Sequence, residues 1–290
     1  MDMRPDCFAC LYQQMLRVGK ALECDDACGI RIMEESAARI AHLDPRQTPP
    51  EAAAILYPAL SEMLGEEDLY RKQKEESTER AERIVPFVEE KISQADDPLD
   101  AALRAAVAGN VIDFATEVSF ELEEEIEKIF DAAFAIDDKG LFLQSLAGAK
   151  RLAVLGDNAG EHLFDKVMIR TFRDHFPDLK VDYFVRGVPI INDVTMREAE
   201  AAGMGEVARI VDSGVDTPGF LYERATAEAR KRYDTADLIL AKGMGNFECM
   251  ESWADDRVFF LFKVKCGVVA AKIEKEVGDL ICKQATGSSQ

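Results

Sequence analysis

Several features are missing from this chain of 290 residues. No stretch reaches the roughly 20 consecutive apolar residues that a membrane-spanning helix needs, so a membrane protein is not expected. The opening segment MDMRPDCFAC lacks a basic region followed by an apolar core and does not read as a signal peptide. Basic charge is short: 35 Lys and Arg stand against 55 Asp and Glu, a formal net charge of −20. That balance argues against nucleic acid, whose binding depends on neutralising phosphates, and equally against anionic membrane surfaces. An anionic substrate needs local cations or a metal ion to overcome such a field. Histidine is scarce: His42, His162 and His175 are the whole set. None sits in a pairing that suggests a nucleophilic dyad, and no G-x-S-x-G nucleophile elbow is present. His162, directly after Glu161, reads as a surface position in a first helical turn. There is no internal repeat and no low-complexity linker.

What is there describes an ordinary globular chain. Apolar residues make up 48% and charged residues 31%, too hydrophobic for disorder and enough for one large core or two smaller ones. Seven cysteines without a signal segment point to a reducing, cytoplasmic setting with free thiols.

The pattern changes near Lys150, which divides the chain into a helical N-terminal part, 1–149, and an α/β part, 150–290. Before that point FACLYQQMLRVGKAL and ACGIRIMEESAARIAHL place apolar residues at three- and four-residue intervals, and no strand is expected. TPPEAAAILYPALSEML opens with Thr48 as an N-cap before two prolines. YRKQKEESTERAERIVPFVEEKI reads as a solvated helix broken or kinked near Pro86. PLDAALRAAVAGNVIDFA predicts a central helix ending near Gly109. After Lys150, the runs RLAVLGD, KVDYFVRG, VARIVDSG, ADLILAKG and RVFFLFKV read as strands separated by helical stretches. About five mainly parallel strands with crossover helices follow from that alternation.

In an open parallel sheet, ligands gather at the carboxyl ends of the strands. The residues just past the first, second and fourth of these strands include Gly156, Asp157, Asn158 and Glu161; Arg186, Asn192 and Asp193; and Lys242, Gly243, Gly245, Asn246 and Glu248. Asp157, Asn158 and Asp193 offer two carboxylates and an amide carbonyl, hard oxygen donors suited to Mg²⁺ or Mn²⁺. Arg186 and Lys242 are cations of the kind that face a phosphate. An Asp-Asn pair after a strand is often only a turn and helix cap, and GMGNFE is an incomplete dinucleotide fingerprint. A complementary set of acids and cations on three strand ends is more than turns require.

GDNAGEHLFDK, RGVPIINDVT and AKGMGNFE, in that order and spacing, resemble the metal-dependent damage-control phosphatase family, formerly a domain of unknown function. PDCFACL, TPPEAAAILYPAL, LYRKQKEEST and AVAGNVIDFA resemble its helical portion. The likeness covers nearly the whole chain and is strongest to the archaeal and bacterial branch with a CxxC near the start. It implies a helical part packed on a Rossmann-like α/β/α core and hydrolysis of phosphate monoesters of small metabolites such as sugar phosphates. It also implies a divalent cation on Asp157, Asn158 and Asp193, with Mg²⁺ or Mn²⁺ ahead of Co²⁺ or Ni²⁺. The same resemblance makes Lys242 a phosphate contact and places Glu161, Arg186, Asn246, Asn110 and Asp113 near the pocket. The partner is then a small phosphorylated metabolite, and nothing in the sequence sets an oligomeric state. An aspartyl-phosphate route through Asp157 is disfavoured, because Ala159 stands where that chemistry wants a second acid. The alternatives are a methyltransferase using S-adenosylmethionine, which has no need of the oxygen trio, and a non-catalytic metabolite-binding protein that keeps the metal pocket and binds its ligand without turnover.

Cys7 and Cys10 form C-x2-C, and Cys24 and Cys28 form C-x3-C, with thirteen residues between the pairs. Four thiols so spaced can bind zinc. Both pairs lie in apolar helical surroundings, so packing is read first, zinc second and a redox role third.

Overall fold

A computed structural model describes residues 1–111 and 119–285, without the side chains of 110, 111 and 119–122. The first part is helical: α1 (Pro5–Ala21), α2 (Asp26–Ile40), α3 (Pro49–Leu64), α4 (Arg71–Gln94), α5 (Pro98–Val111) and α6 (Ser119–Asp131). The start of α3 is the one its sequence announces. The Thr48 hydroxyl accepts from the Glu51 N–H, and the Glu51 carboxylate accepts from the Thr48 N–H at 2.8 Å, a reciprocal cap. Helix α4 runs unbroken through Pro86. That proline and Glu82, the residue whose carbonyl it cannot donate to, both lie on the exposed side, where water can take the place of the missing donor.

Among the described residues, seven strands build one sheet in the order β1-β7-β6-β5-β2-β3-β4. The five expected strands are β2 (Arg151–Leu155), β3 (Lys180–Val185), β4 (Arg209–Asp212), β5 (Leu238–Lys242) and β6 (Val258–Lys263). These five pair in parallel with one another. Two more were not expected. β1 (Phe134–Asp137) falls in the stretch before Lys150, and β7 (Leu280–Gln284) follows the last helix. β7 runs antiparallel to β6 and parallel to β1. Both are too short to show a period, and each is fixed by a partner far away in the chain.

The sheet is covered on both faces, as its strand alternation requires. Leu152 and Val154 of β2, Tyr183 of β3 and Leu240 of β5 pack beneath α5 and α8 (Glu161–His175). Ala153, Leu155, Phe184 and Ala241 face the other way, towards α10 (Ala227–Asp234) and α11 (Gly243–Met250). Helices α1, α2 and α3 share a separate core around Leu11, Met15, Ile32 and Leu56, joined by Ile190 from the loop after β3. That third core brings the helices over the strand ends. Among the described residues no helix is long and apolar enough to cross a membrane.

Candidate functional site

The site begins where the sheet divides. β2 and β5 are neighbours; the chain passes from β2 outward through β3 to β4, and from β5 outward to β6 on the other side. Helix α8 leaves β2 towards one face and α11 leaves β5 towards the other. The two turns therefore diverge and open a crevice, the usual ligand position in such sheets. The turn after β2 is pinned across it: the Gly156 N–H donates to the Phe184 carbonyl at 3.0 Å. A side chain at Gly156 would strike the Tyr183 hydroxyl at 2.7 Å. The Val194 N–H donates to the Asp157 carbonyl at 2.9 Å and the Ala159 N–H to the Asn192 carbonyl at 2.8 Å. These bonds zip the two loops into a short antiparallel bridge, Asn158 opposite Asp193. Asp157, Asn158 and Asp193 meet because of it.

The charges there are dense and dry. Asp157 Oδ2 accepts from Asn158 Nδ2 at 2.9 Å, and the same amide nitrogen donates to Glu161 Oε2 at 3.3 Å. Burial, then the charges of Glu161 and Asp193, push the Asp157 carboxyl up to about 8, against an opposite pull from Lys265 and Arg186. Burial also pushes Asp193 up to about 6, although Arg186 beside it works the other way. Gly243 completes the floor. Its φ is +76°, and a Cβ there would stand 2.0 Å from Asp157 Oδ2, so only glycine leaves room for the carboxylate.

A second set of expected residues lies behind this floor. Arg186, 1% exposed, donates from Nε to Asp193 Oδ2 at 2.7 Å. It braces that carboxylate from the protein side instead of facing open space. Lys242, expected to touch phosphate, points into the interior. Its Nζ donates to Glu161 Oε1 at 2.6 Å, Asp165 Oδ1 at 2.5 Å and the Ala106 carbonyl at 3.0 Å. Three acceptors use all three ammonium protons. Burial works to lower the Lys242 pKa, but Asp165 and Glu161 outweigh it and hold the ammonium charged above its usual range. Asn246 is likewise occupied. Its Oδ1 accepts from the Phe220 N–H at 2.7 Å and its Nδ2 donates to the carbonyls of Leu155, Gly156 and Lys242, so it ties α11 to β2 and β5. His162, expected at the surface, is buried. Its Nδ1 accepts from the Gly160 N–H at 3.0 Å, and burial lowers its pKa to about 4, leaving the ring neutral. Asp113 and the side chain of Asn110 lie outside the described residues.

A cavity of about 170 Å³ opens above the floor, between the strand ends and the helical part. Asp157, Asn158 and Asp193 line it, with Leu11 and Gln14 of α1, Pro50 and Ala53 of α3, Glu248 and Lys265. Glu161, Arg186, Lys242 and Asn246 are not on its wall. Lys265 is the cation the strand-end search passed over: it stands two residues beyond β6, where the same rule applied to RVFFLFKV finds it. Asp165 was also missed. Its signal is an acid four residues after Glu161 on an otherwise apolar helix face.

The four N-terminal thiols do not come together. Cys24 and Cys28 are joined in a disulfide, Cα–Cα 5.5 Å, where free packing thiols were expected. Cys7 is buried and Cys10 exposed, both free.

Residues 3–281 match the family model described as the damage-control phosphatase ARMT1-like domain. The chain is similar to a damage-control phosphatase of Pyrococcus horikoshii, 30% identical over 284 residues that cover 97% of this chain and 98% of that protein. It is similar to a damage-control phosphatase of Archaeoglobus fulgidus, 29% identical, with 98% and 99% of the two chains covered. The crystal structure of a DUF89 family protein from Pyrococcus horikoshii aligns with a TM-score of 0.92 at 28% identity, over 99% of this chain and 100% of that one.

Proposed function

This chain belongs to the ARMT1-like damage-control phosphatase family, and from that premise we propose that it hydrolyses phosphate monoesters of small, damaged metabolites with a divalent cation at the β2–β5 crevice. The observation that carries the reading is the convergence of Asp157, Asn158 and Asp193 on one cavity that also holds Lys265. Family membership favours phosphoryl chemistry over methyl transfer.

The donor set fits a hard cation. Among the described residues no group of three or more His, Cys, Asp and Glu is gathered for a metal, so the protein offers two carboxylates and one amide and leaves further positions for water and substrate. That is how Mg²⁺ and Mn²⁺ are held, and it differs from a closed zinc cage. The missing Cβ at Gly243 lets the Asp157 carboxylate sit where it does on the cavity floor. When bound, the cation supplies positive charge against the phosphate oxygens and favours an attacking water.

The chain's own residues do the rest. Lys265 draws the phosphate into the cavity and balances its charge as the ester bond to phosphorus breaks. Arg186 fixes the direction of Asp193, and Lys242 fixes Glu161, which in turn orients the Asn158 amide. Leu11, Pro50 and Ala53 on the helical side limit water and set the size of the leaving group. A cavity of about 170 Å³ suits a compact sugar phosphate better than a nucleotide.

The test is phosphate release from a panel of sugar phosphates, nucleotides and phosphopantetheine-like esters, each with Mg²⁺, Mn²⁺, Co²⁺ or Ni²⁺. Turnover should depend on the cation and favour the small esters. Asp157→Asn should lower it by about a hundredfold or more, and Lys265→Ala should raise KM and also lower kcat. Wild-type turnover by Asp157→Asn would remove the strand-end site from the chemistry.

A further inference from the structure

The catalytic cavity occupies the carboxyl ends of the strands. At the opposite ends of β2, β3 and β4 lies a groove of about 1020 Å³. Its wall carries Arg151, Arg173, Lys180, Arg209, Lys231 and Arg232, against Asp178, Asp182 and Glu206. In a chain of net charge −20, this is a local reversal of sign.

Half of these cations are already engaged. Arg232 lies 2.7 Å from Glu228 and 3.4 Å from Asp182, and Arg209 lies 4.0 Å from Asp182. Arg173 donates to the Val207 carbonyl at 2.9 Å. Of the acids, Asp182 is held by those arginines, and Glu206 pairs with Lys166 at 2.8 Å. Among the described residues, no carboxylate lies within ion-pair distance of the Arg151 guanidinium or of the Lys180 and Lys231 ammonium groups; Asp237 Oδ2 accepts from the Arg151 backbone N–H at 2.9 Å. Arg151 and Lys180 are register partners on adjacent parallel strands, so they share one face of the sheet, where like charges side by side repel. Lys231 comes from α10, which packs on that same face and sends Arg232 across to Asp182. Three cations without an ion-pair partner, from three elements, converge on one groove. An anion with several charged oxygens removes the repulsion between them.

We propose that this groove binds a small polyanion with two or more phosphate groups, at the end of the sheet opposite the catalytic cavity. Its size is that of a small-molecule site, not of a flat protein interface, and the fork of Arg151 with the two lysines suits phosphate oxygens.

The experiment titrates tripolyphosphate into the full chain by calorimetry, in chelator and about 0.15 M salt, where distant surface charges are screened. Lys180→Ala with Lys231→Ala should weaken binding about tenfold or more. Lys265→Ala, in the catalytic cavity, should leave it unchanged, and orthophosphate should bind at least about tenfold more weakly than tripolyphosphate. In the unmutated protein, tripolyphosphate should also slow acetylation of Lys180 and Lys231 by acetic anhydride, a readout independent of variant folding. An ATP arm separates the sources: tighter binding than tripolyphosphate assigns a nucleotide, weaker binding an inorganic chain, and both uphold the groove. Undiminished affinity in the double variant, loss of binding in Lys265→Ala, or no binding at all would overturn it.

Discussion

Asp157 and Asp193 carry the same chemical group on the wall of the same cavity, yet neutralising them should affect the metal-free protein to different degrees. Asp157 is held between burial and the charges of Glu161 and Asp193 at about 8, far above its ordinary 3.8. A raised folded-state value means that the native protein holds the proton longer than the unfolded chain. Stability from this group is therefore greatest at low pH and declines as pH rises from about 4 through about 8. Asp157→Asn should flatten that decline: in chelator, urea unfolding should find the variant more stable than wild type at pH 8, with the advantage shrinking at pH 5. Asp193 instead accepts from the buried Arg186 guanidinium. Asp193 is raised less, to about 6, and Asp193→Asn also leaves that cation without its charged partner, so at pH 8 this variant should gain clearly less stability than Asp157→Asn, or none. Equal responses would show that Arg186 does not depend on Asp193. Gly243 gives a third residue-scale prediction. Ala there takes on a positive φ and a Cβ that collides with the Asp157 carboxylate. Turnover should drop by about a hundredfold from displacement of that group, measured against retained far-UV circular dichroism.

At the scale of elements, the site depends on how α5, α8 and β5 are fastened together. Lys242 on β5 spans Glu161 and Asp165 on α8 and the Ala106 carbonyl on α5, and the Tyr183 hydroxyl on β3 donates to the other oxygen of Asp165 at 2.9 Å. The packing is equally close: a Cβ at Gly109 of α5 would meet the Phe164 ring at 2.8 Å and Glu161 at 3.0 Å. Lys242→Met keeps the volume and removes the charge, leaving two acids buried without a cation. The loss should be about 3–5 kcal/mol at pH 7. Burial already pushes Asp165 up to about 6, and without the lysine it rises further, so stability should recover towards pH 5 as Asp165 takes up a proton. A pH series of urea midpoints reads this out. A constant difference across the series would mean that Lys242 acts by packing alone.

The whole molecule is two packed units meeting at a cavity: the small core of α1, α2 and α3, and the sheet with its covering helices. A cation that binds only the folded site stabilises the assembly in proportion to its occupancy. Saturating Mn²⁺ at about a hundred times its dissociation constant should add about 2.7 kcal/mol. The gain should disappear in Asp157→Asn. Thermal unfolding in a Mn²⁺ series checks it, and an equal shift in the variant would place the cation elsewhere on this acidic surface.

Much of this was determined by local sequence. Each central strand is an unbroken apolar run ended by glycine or charge, and the strand-end rule then selects Asp157, Asn158 and Asp193 without knowledge of their neighbours. The α3 cap is equally local, complete within Thr48–Glu51. The direction of a buried charge is not local. Lys242 ends a strand much as Asp157 follows one, but its ammonium turns inward because α8 happens to bring Glu161 and Asp165 beneath it. Asn246 is drawn into the turns after β2 and β5 by backbone groups far away in the chain, and His162 is covered by packing that no first-turn position reveals. Among the described residues, the short strand β1 is held by β7 alone, and β7 by β1 and β6 on its two sides. Hydrophobic period and capping are properties of a few neighbouring residues; desolvation and charge pairing depend on every element that folds against them, and those decided which polar groups face the cavity.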